Sequence, residues 1–231
     1  QKAYSEGSLA ICLYASSLFE DAHTAETKEQ QQQAFLLLDL ITPMVKTWTS
    51  KYCLKANELA IQVLGGSGYI REYPVEQYYR DNRLNPIHEG TDAIHGLDVL
   101  GRKVLLNKGA GLKLFTETVL ATIEQAKNLE QVKPLTSPIA KALAELNEVT
   151  KILTDKLVSN PDLTLANATI YLDLFGRVIA SWIWLKQASK AAEGLIKKSL
   201  HESDGDFYRG KLQAARYYIQ WELPEIYPQA Q

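Results

Sequence analysis

Apolar residues recur at three- and four-residue spacing along almost the whole chain, and no stretch sustains the alternation of a strand. Such a chain can bury its apolar surface only by packing one helical stripe against another, so the spacing predicts an all-α fold. Capping and breaking residues divide it. A first helix is expected over residues 3–22, with Leu9, Cys12, Leu13, Ser16 and either Leu18 or Phe19 as its inward stripe. The second opens on the glutamines 30–33 and ends near Leu40. Thr42 followed by Pro43 reads as an N-cap and a first-turn proline, so a separate helix is expected from there to Leu64. Gly65-Gly66 closes it, because glycine takes positive φ without steric cost.

Residues 65–90 are the densest loop region, broken by a short helix over Pro74–Tyr79. Thr91 is expected to cap a helix reaching Leu106, with Asp92 in the first turn favourable to the helix dipole. Asn107-Lys108-Gly109 breaks it, and another helix follows over 110–127. The stretch "NLEQVKPLTSP", residues 128–138, reads as a linker, with Ser137-Pro138 starting a helix to Val158. Asn160-Pro161-Asp162 precedes a long helix over 163–200, and Asp204-Gly205-Asp206 turns the chain into a last helix over 207–221. The expected architecture is an up-and-down helical bundle over 1–110 followed by a second helical bundle over 111–231.

At 231 residues and 46% hydrophobic content the chain can supply a substantial core. Lys plus Arg number 25 against 27 Asp plus Glu, which gives no electrostatic footprint for nucleic acid or an anionic membrane. Cys12 and Cys53 sit inside apolar helical patterns and build neither a disulfide framework nor a CxxC site, which fits a cytoplasmic location. No apolar run approaches the ~20 residues of a bilayer span, so none is expected. His23, His88, His95 and His201 are scattered, and "HEGTDAIH" lacks the HExxH spacing, so no metal site is expected. Lys186, Lys190, Lys197 and Lys198, with Glu193, Glu202 and Asp204 nearby, read as a solvated face. The chain opens on Gln1, already at the edge of a helix, and is expected to be a piece of a longer protein.

Two loop features carry candidate chemistry, and the residues alone leave each open. "QVLGGSGY" is not GxGxxG and follows a helix, so it is either a helix C-cap with a tight turn or a close approach to a ligand. Glu89, just ahead of a helix start, is either a carboxylate favoured there by about 0.3–1 kcal/mol of dipole interaction or a general base held against a ligand.

Taken together, residues 62–91, "QVLGGSGYIREYPVEQYYRDNRLNPIHEGT", resemble the second signature region of the acyl-CoA dehydrogenases. Gln62, Gly65, Gly66, Gly68, Tyr69, Glu72, Arg80, Asp81, Arg83, Glu89, Gly90 and Thr91 fall in register. Residues 1–110 are similar to the C-terminal helical domain of that family, and 111–231 to the extra helical domain of its larger bacterial members, including those acting on methylthiopropionyl-CoA. The resemblance implies that Glu89 removes the α-proton of an acyl-CoA while a β-hydride passes to FAD, giving the 2,3-enoyl-CoA. It implies a thioester carbonyl polarised by the Glu89 N–H and the flavin, which offsets developing charge, and a base made stronger by burial against flavin and acyl chain.

Gly90 would admit the thioester, Thr91 would cap a helix and touch the flavin, and Gln62, Gly65 and Gly66 would cradle the FAD pyrophosphate, often that of a neighbouring subunit. A homo-oligomer, dimer or tetramer, and electron-transfer flavoprotein as acceptor are implied with it. The chain departs from the pattern at His88, where tyrosine is usual, at Gln77, where a basic residue is common, and at Ala93 and His95, where glutamines are common. By itself the chain is expected to be inactive. A non-catalytic helical oligomerisation or partner-binding module derived from the family is the second reading.

Overall fold

Helix caps and buried stripes organise the computed structural model, which describes residues 1–196 and 201–231. Among these residues every regular element is helical and none is a strand. Helix α1 spans Lys2–Thr24 and α2 spans Lys28–Leu64. A reciprocal cap joins them: Thr27 Oγ1 accepts from the Gln30 N–H at 3.2 Å and Gln30 Oε1 accepts from the Thr27 N–H at 3.1 Å. Then come α3 (Val75–Asn82), α4 (Asp92–Asp98, prolonged by a wider turn over Val99–Lys103), α5 (Ala110–Ala126) and α6 (Lys133–Leu157). The last are α7 (Pro161–Leu165), α8 (Ala168–Leu195), α9 (Glu202–Tyr217, prolonged by a wider turn over Tyr218–Glu222) and α10 (Ile226–Ala230).

Packing overrides local signals at several points. No break follows Leu40: α2 runs through Pro43, whose neighbours Leu40, Ile41, Met44, Thr47 and Trp48 are all buried. Thr42 does not cap; its hydroxyl donates to the Leu38 carbonyl at 2.6 Å. The 128–138 linker shrinks, because α6 begins at Lys133 with a proline in its first turn and buries Leu135 and Ile139. Likewise α9 begins at Glu202, where the His201 ring accepts from the Ser203 N–H at 3.3 Å, so no turn forms at Gly205. The break at Asn107-Lys108-Gly109 stands, with φ of 51°, 58° and 78°. Of the long helix expected over 163–200, α8 covers Ala168–Leu195; its expected end at residues 197–200 lies outside the described residues.

Helix α8 is the spine. It packs against α1, α2, α4, α5, α6 and α9, and one hydrophobic cluster runs through the chain. Trp182 and Trp184 are fully buried, as core residues of an apolar helix should be, and their indole N–H groups donate to Thr122 Oγ1 at 2.9 Å and the Ala3 carbonyl at 3.1 Å. By length and composition α8 does match a bilayer span, contrary to the reading of apolar runs above, but 83% of its most apolar window is buried among the other helices. The solvated lysine face holds at Lys190, which is exposed and paired with Glu193 at 2.8 Å, but not at Lys186: its ammonium lies 4.4 Å from the Tyr14 ring centroid, and burial, with Lys190 beside it, pulls its pKa down. Lys197 and Lys198 lie outside the described residues.

One largely buried ionic network ties α2 and α8 to the C-terminal segment. Asp173 accepts from Lys51 Nζ at 2.7 Å, Tyr52 Oη at 3.1 Å, Arg177 Nε at 3.0 Å and Gln229 Nε2 at 2.8 Å. Burial alone would raise its pKa; the Lys51 and Arg177 charges and these hydrogen bonds reverse that and hold it at about 2.

Candidate active site

Helix α1 turns out to have two apolar faces, and this decides where a site can lie. Its core face carries Tyr4, Ile11 and Leu18, so of the two alternatives Leu18 is the inward one, whereas Leu9 and Leu13, expected inside, are exposed with Phe19, each at about 60%. Leu9 and Cys12 of that outer face, with Ser5 and Ser8, form one wall of a groove of about 470 Å³. Lys46, Thr49, Ser50 and Cys53 of α2 form the opposite wall, and Asn82, Asn85, His88 and Glu89 close one end.

A ladder of amides sets that end. Asn82 Nδ2 donates to Asn57 Oδ1 of α2 at 2.7 Å, Asn85 Nδ2 donates to Asn82 Oδ1 at 2.7 Å, and His88 Nε2 lies 3.2 Å from Asn85 Oδ1. Past this ladder Glu89 takes φ of 56°, an uncommon conformation for a side-chain-bearing residue, and Gly90 takes φ of 108°. Two side chains hold the following carbonyls: His95 Nε2 lies 3.2 Å from the Glu89 oxygen, and Lys46 Nζ donates to the Gly90 oxygen at 2.5 Å. An ammonium-to-carbonyl bond contributes about 1.5–3 kcal/mol net, enough to offset the roughly 1–3 kcal/mol that a residue in a sparsely populated conformation costs. Gly90 has a local reason to be glycine: besides its φ, a Cβ there would stand 2.9 Å from His95 Nε2.

What remains free is informative. The Glu89 side chain is exposed and forms no ion pair or hydrogen bond among the described residues, and the Glu89 N–H finds no acceptor among them. Of the residues lining the groove Glu89 is the one carboxylate. His88 is engaged with Asn85, Lys46 with Gly90, and burial pushes the Cys12 thiol up, with Cys53 adding to the effect, so Cys12 is not a thiolate near neutrality. The arrangement can present a carboxylate and a backbone donor to one ligand in the groove.

Thr91 sits at the N-cap position of α4, but its side chain makes no cap bond, contrary to expectation; it is exposed and uncommitted. Gln62, Gly65 and Gly66 do not line the groove. Sixteen residues of helix separate Lys46 from Gln62, about 24 Å at 1.5 Å per residue. There the glycines differ in kind. Gly65 ends α2 with φ of 56°, and a Cβ on Gly68 would strike the Ile61 carbonyl oxygen at 2.6 Å, whereas a Cβ on Gly66 would meet nothing within 4 Å. The fold therefore requires Gly65 and Gly68 but leaves Gly66 bare for no reason internal to the chain.

Sequence reasoning missed Lys46 and the amide ladder. Lys46 stands among the buried residues Pro43, Met44, Thr47 and Trp48, an unusual place for a lysine, and that was the available signal.

Comparison with known proteins gives the family of the chain. The family described as "Acyl-CoA dehydrogenase, C-terminal domain" matches residues 10–105, and that described as "Acetyl-CoA dehydrogenase C-terminal like" matches residues 115–231. The broad-specificity linear acyl-CoA dehydrogenase FadE5 of Mycobacterium tuberculosis is 30% identical over 232 residues, a match covering 97% of this chain and 38% of that protein. The 3-methylmercaptopropionyl-CoA dehydrogenase of Ruegeria pomeroyi is 30% identical over 228 residues, covering 97% of this chain and 37% of that protein. The chain thus spans less than two-fifths of these curated relatives. The crystal structure of Caenorhabditis elegans ACDH-11 in complex with C11-CoA superposes with a TM-score of 0.71 at 20% identity, covering 92% of this chain and 33% of that one, and shares the fold.

Proposed function

The chain belongs to the acyl-CoA dehydrogenase family, and on that premise we propose that it is the C-terminal helical part of a flavin-dependent enzyme oxidising an acyl-CoA to the 2,3-enoyl-CoA, with Glu89 as the base. The observation that carries this reading is Glu89 itself: the one carboxylate in the groove wall, its backbone turned and held, its side chain without a partner. A carboxylate left unpaired keeps its lone pairs for an incoming proton, and a backbone N–H left unpaired beside it can donate to the thioester carbonyl and stabilise charge that develops as the α-proton leaves. FAD, when bound, accepts the β-hydride.

The residues present fit part of a flavin site. Gly65 and Gly66 offer exposed backbone with no side chain in the way, Gln62 is exposed one turn before them, and the Thr91 hydroxyl is free. We assign Gln62, Gly65 and Gly66 to the pyrophosphate side of the cofactor and Thr91 to its flavin side. From the family resemblance these glycines are proposed to serve the cofactor of a neighbouring copy, in a homo-oligomer. Electron-transfer flavoprotein is the proposed acceptor. The family matches on either side of residue 110 support a division into units 1–110 and 111–231. Because Glu89 is exposed in this chain, the walls that would desolvate it belong to the rest of the protein, and the chain by itself is proposed to be inactive.

The test is Glu89→Gln in the full-length flavoprotein. The variant should bind flavin normally while acyl-CoA reduces it about 10²-fold more slowly or worse; unchanged reduction kinetics would overturn the assignment.

A further inference from the structure

The reach of Lys46 suggests a role that the pattern at residues 62–91 does not contain. Its ammonium crosses from α2 to a carbonyl 44 residues further along the chain and is partly buried there. Together with His95 from α4 it fixes both peptide units that follow Glu89, and Glu89 is left-handed at the point they define. It does so without forming an ion pair with the Glu89 carboxylate, although both side chains line the groove. A base neutralised by an adjacent ammonium would be a weaker base. Lys46 spends its hydrogen bond on the backbone instead and leaves the carboxylate free.

We propose that Lys46 is a positioning residue for the base: by donating to the Gly90 carbonyl it holds the left-handed turn from which the Glu89 carboxylate and the Glu89 N–H both face the ligand. This rests on the reading of Glu89 as the base. The geometry demands such a clamp because a carboxylate on an unrestrained loop would spend most of its time outside attack distance, and misplacement by about 1 Å costs up to about 10²-fold in rate. The bond acts in the free protein, so its loss shows in the loop before any substrate arrives.

The experiment compares Lys46→Met, Lys46→Arg and Glu89→Gln in the full-length flavoprotein. Two quantities are read in all of them, the limiting rate of flavin reduction and the acyl-CoA concentration giving half that rate, and a third in the parent and the two Lys46 variants: without substrate, the rate at which a glutamate-specific protease cuts the Glu89–Gly90 bond. Lys46→Met should keep its flavin, lose about tenfold or more in limiting rate with a much smaller change in half-saturation, and be cut faster at Glu89. Lys46→Arg, which can still donate, should recover part of both effects. The proposal is overturned by an unchanged limiting rate and cleavage rate, by a rate loss that merely follows loss of flavin, or by a shifted acid limb of the pH profile with an unchanged plateau, which would make Lys46 a charge rather than a clamp. If Glu89→Gln is impaired and Lys46→Met is not, only the clamp fails; if Glu89→Gln is itself unimpaired, the base assignment has failed.

Discussion

Asp173 and Glu89 are both carboxylates within reach of lysines, and the fold treats them in opposite ways. Four donors converge on the side chain of Asp173, whose exposure is only 9%, and nothing about its backbone is unusual. At Glu89 the donors converge on the backbone instead, and the carboxylate has none. A carboxylate saturated with hydrogen bonds is stable and poor at taking a proton; one held only through its main chain is placed with its lone pairs unengaged. The contrast is between an acid whose side chain the fold saturates and one whose side chain it leaves without a donor among the described residues, as the proposed role of Glu89 requires.

The sharpest way to break the comparison is to remove the structural acid. Asp173→Ala removes one of the two acidic partners of the buried Arg177 guanidinium, leaving it the Glu222 carbonyl and carboxylate, and removes the bond to Gln229, so it should destabilise the chain by about 3 kcal/mol in denaturant unfolding. The acid limb checks the cause. Asp173 is depressed in the folded state from 3.8 to about 2, so its contribution is present above pH 3.8 and is lost as pH falls through the folded value. The parent should therefore weaken in that window while Asp173→Ala shows a flatter limb. Equal acid sensitivity in the two proteins would mean that the network does not stabilise the fold in this way.

The glycine turn gives a smaller effect and sharpens the same distinction between what the fold needs and what a ligand needs. Gly68→Ala places a methyl against the Ile61 carbonyl and should cost about 1–3 kcal/mol in stability. Gly66→Ala enters open space and should leave the stability of the chain within about 0.5 kcal/mol, while weakening flavin retention in the full-length protein. Equal stability losses for the two would show that Gly66, too, is held by the fold.

The helical character of the chain was legible in apolar spacing, and the buried Trp182 and Trp184 followed from it. Which face of α1 turns inward was not, because apolar residues at helical spacing lie on both of its faces, Tyr4, Ile11 and Leu18 on one and Leu9 and Leu13 on the other, and a periodicity cannot rank two apolar stripes. The stripe chosen first is the one exposed beside the groove, where apolar surface has a use other than core packing. Pro43 misled for a related reason: the expected break follows local backbone chemistry, while the buried residues on either side keep α2 continuous. At the site, Glu89 and the glycines could be picked out from a contiguous stretch of sequence. For Lys46 the sequence held only a lysine set among apolar residues; its partner is set by the crossing of a loop over α2, a tertiary fact that no local pattern encodes.

The smallest predicted effect bears most directly on the comparison. Glu89→Gln removes a charge from an exposed side chain with no partner, and a glutamine is as free as a glutamate to point into the groove. Nothing in the folded chain is lost, so thermal and denaturant unfolding should agree with the parent within about 0.5 kcal/mol. The same substitution is expected to slow the chemistry of the full-length protein by orders of magnitude, and this separation of stability from rate is the behaviour of a residue held for function. A stability loss approaching that of Asp173→Ala would show instead that Glu89 is a second structural acid, paired in solution with a donor such as Lys46 or His95, and the distinction between the two carboxylates would collapse.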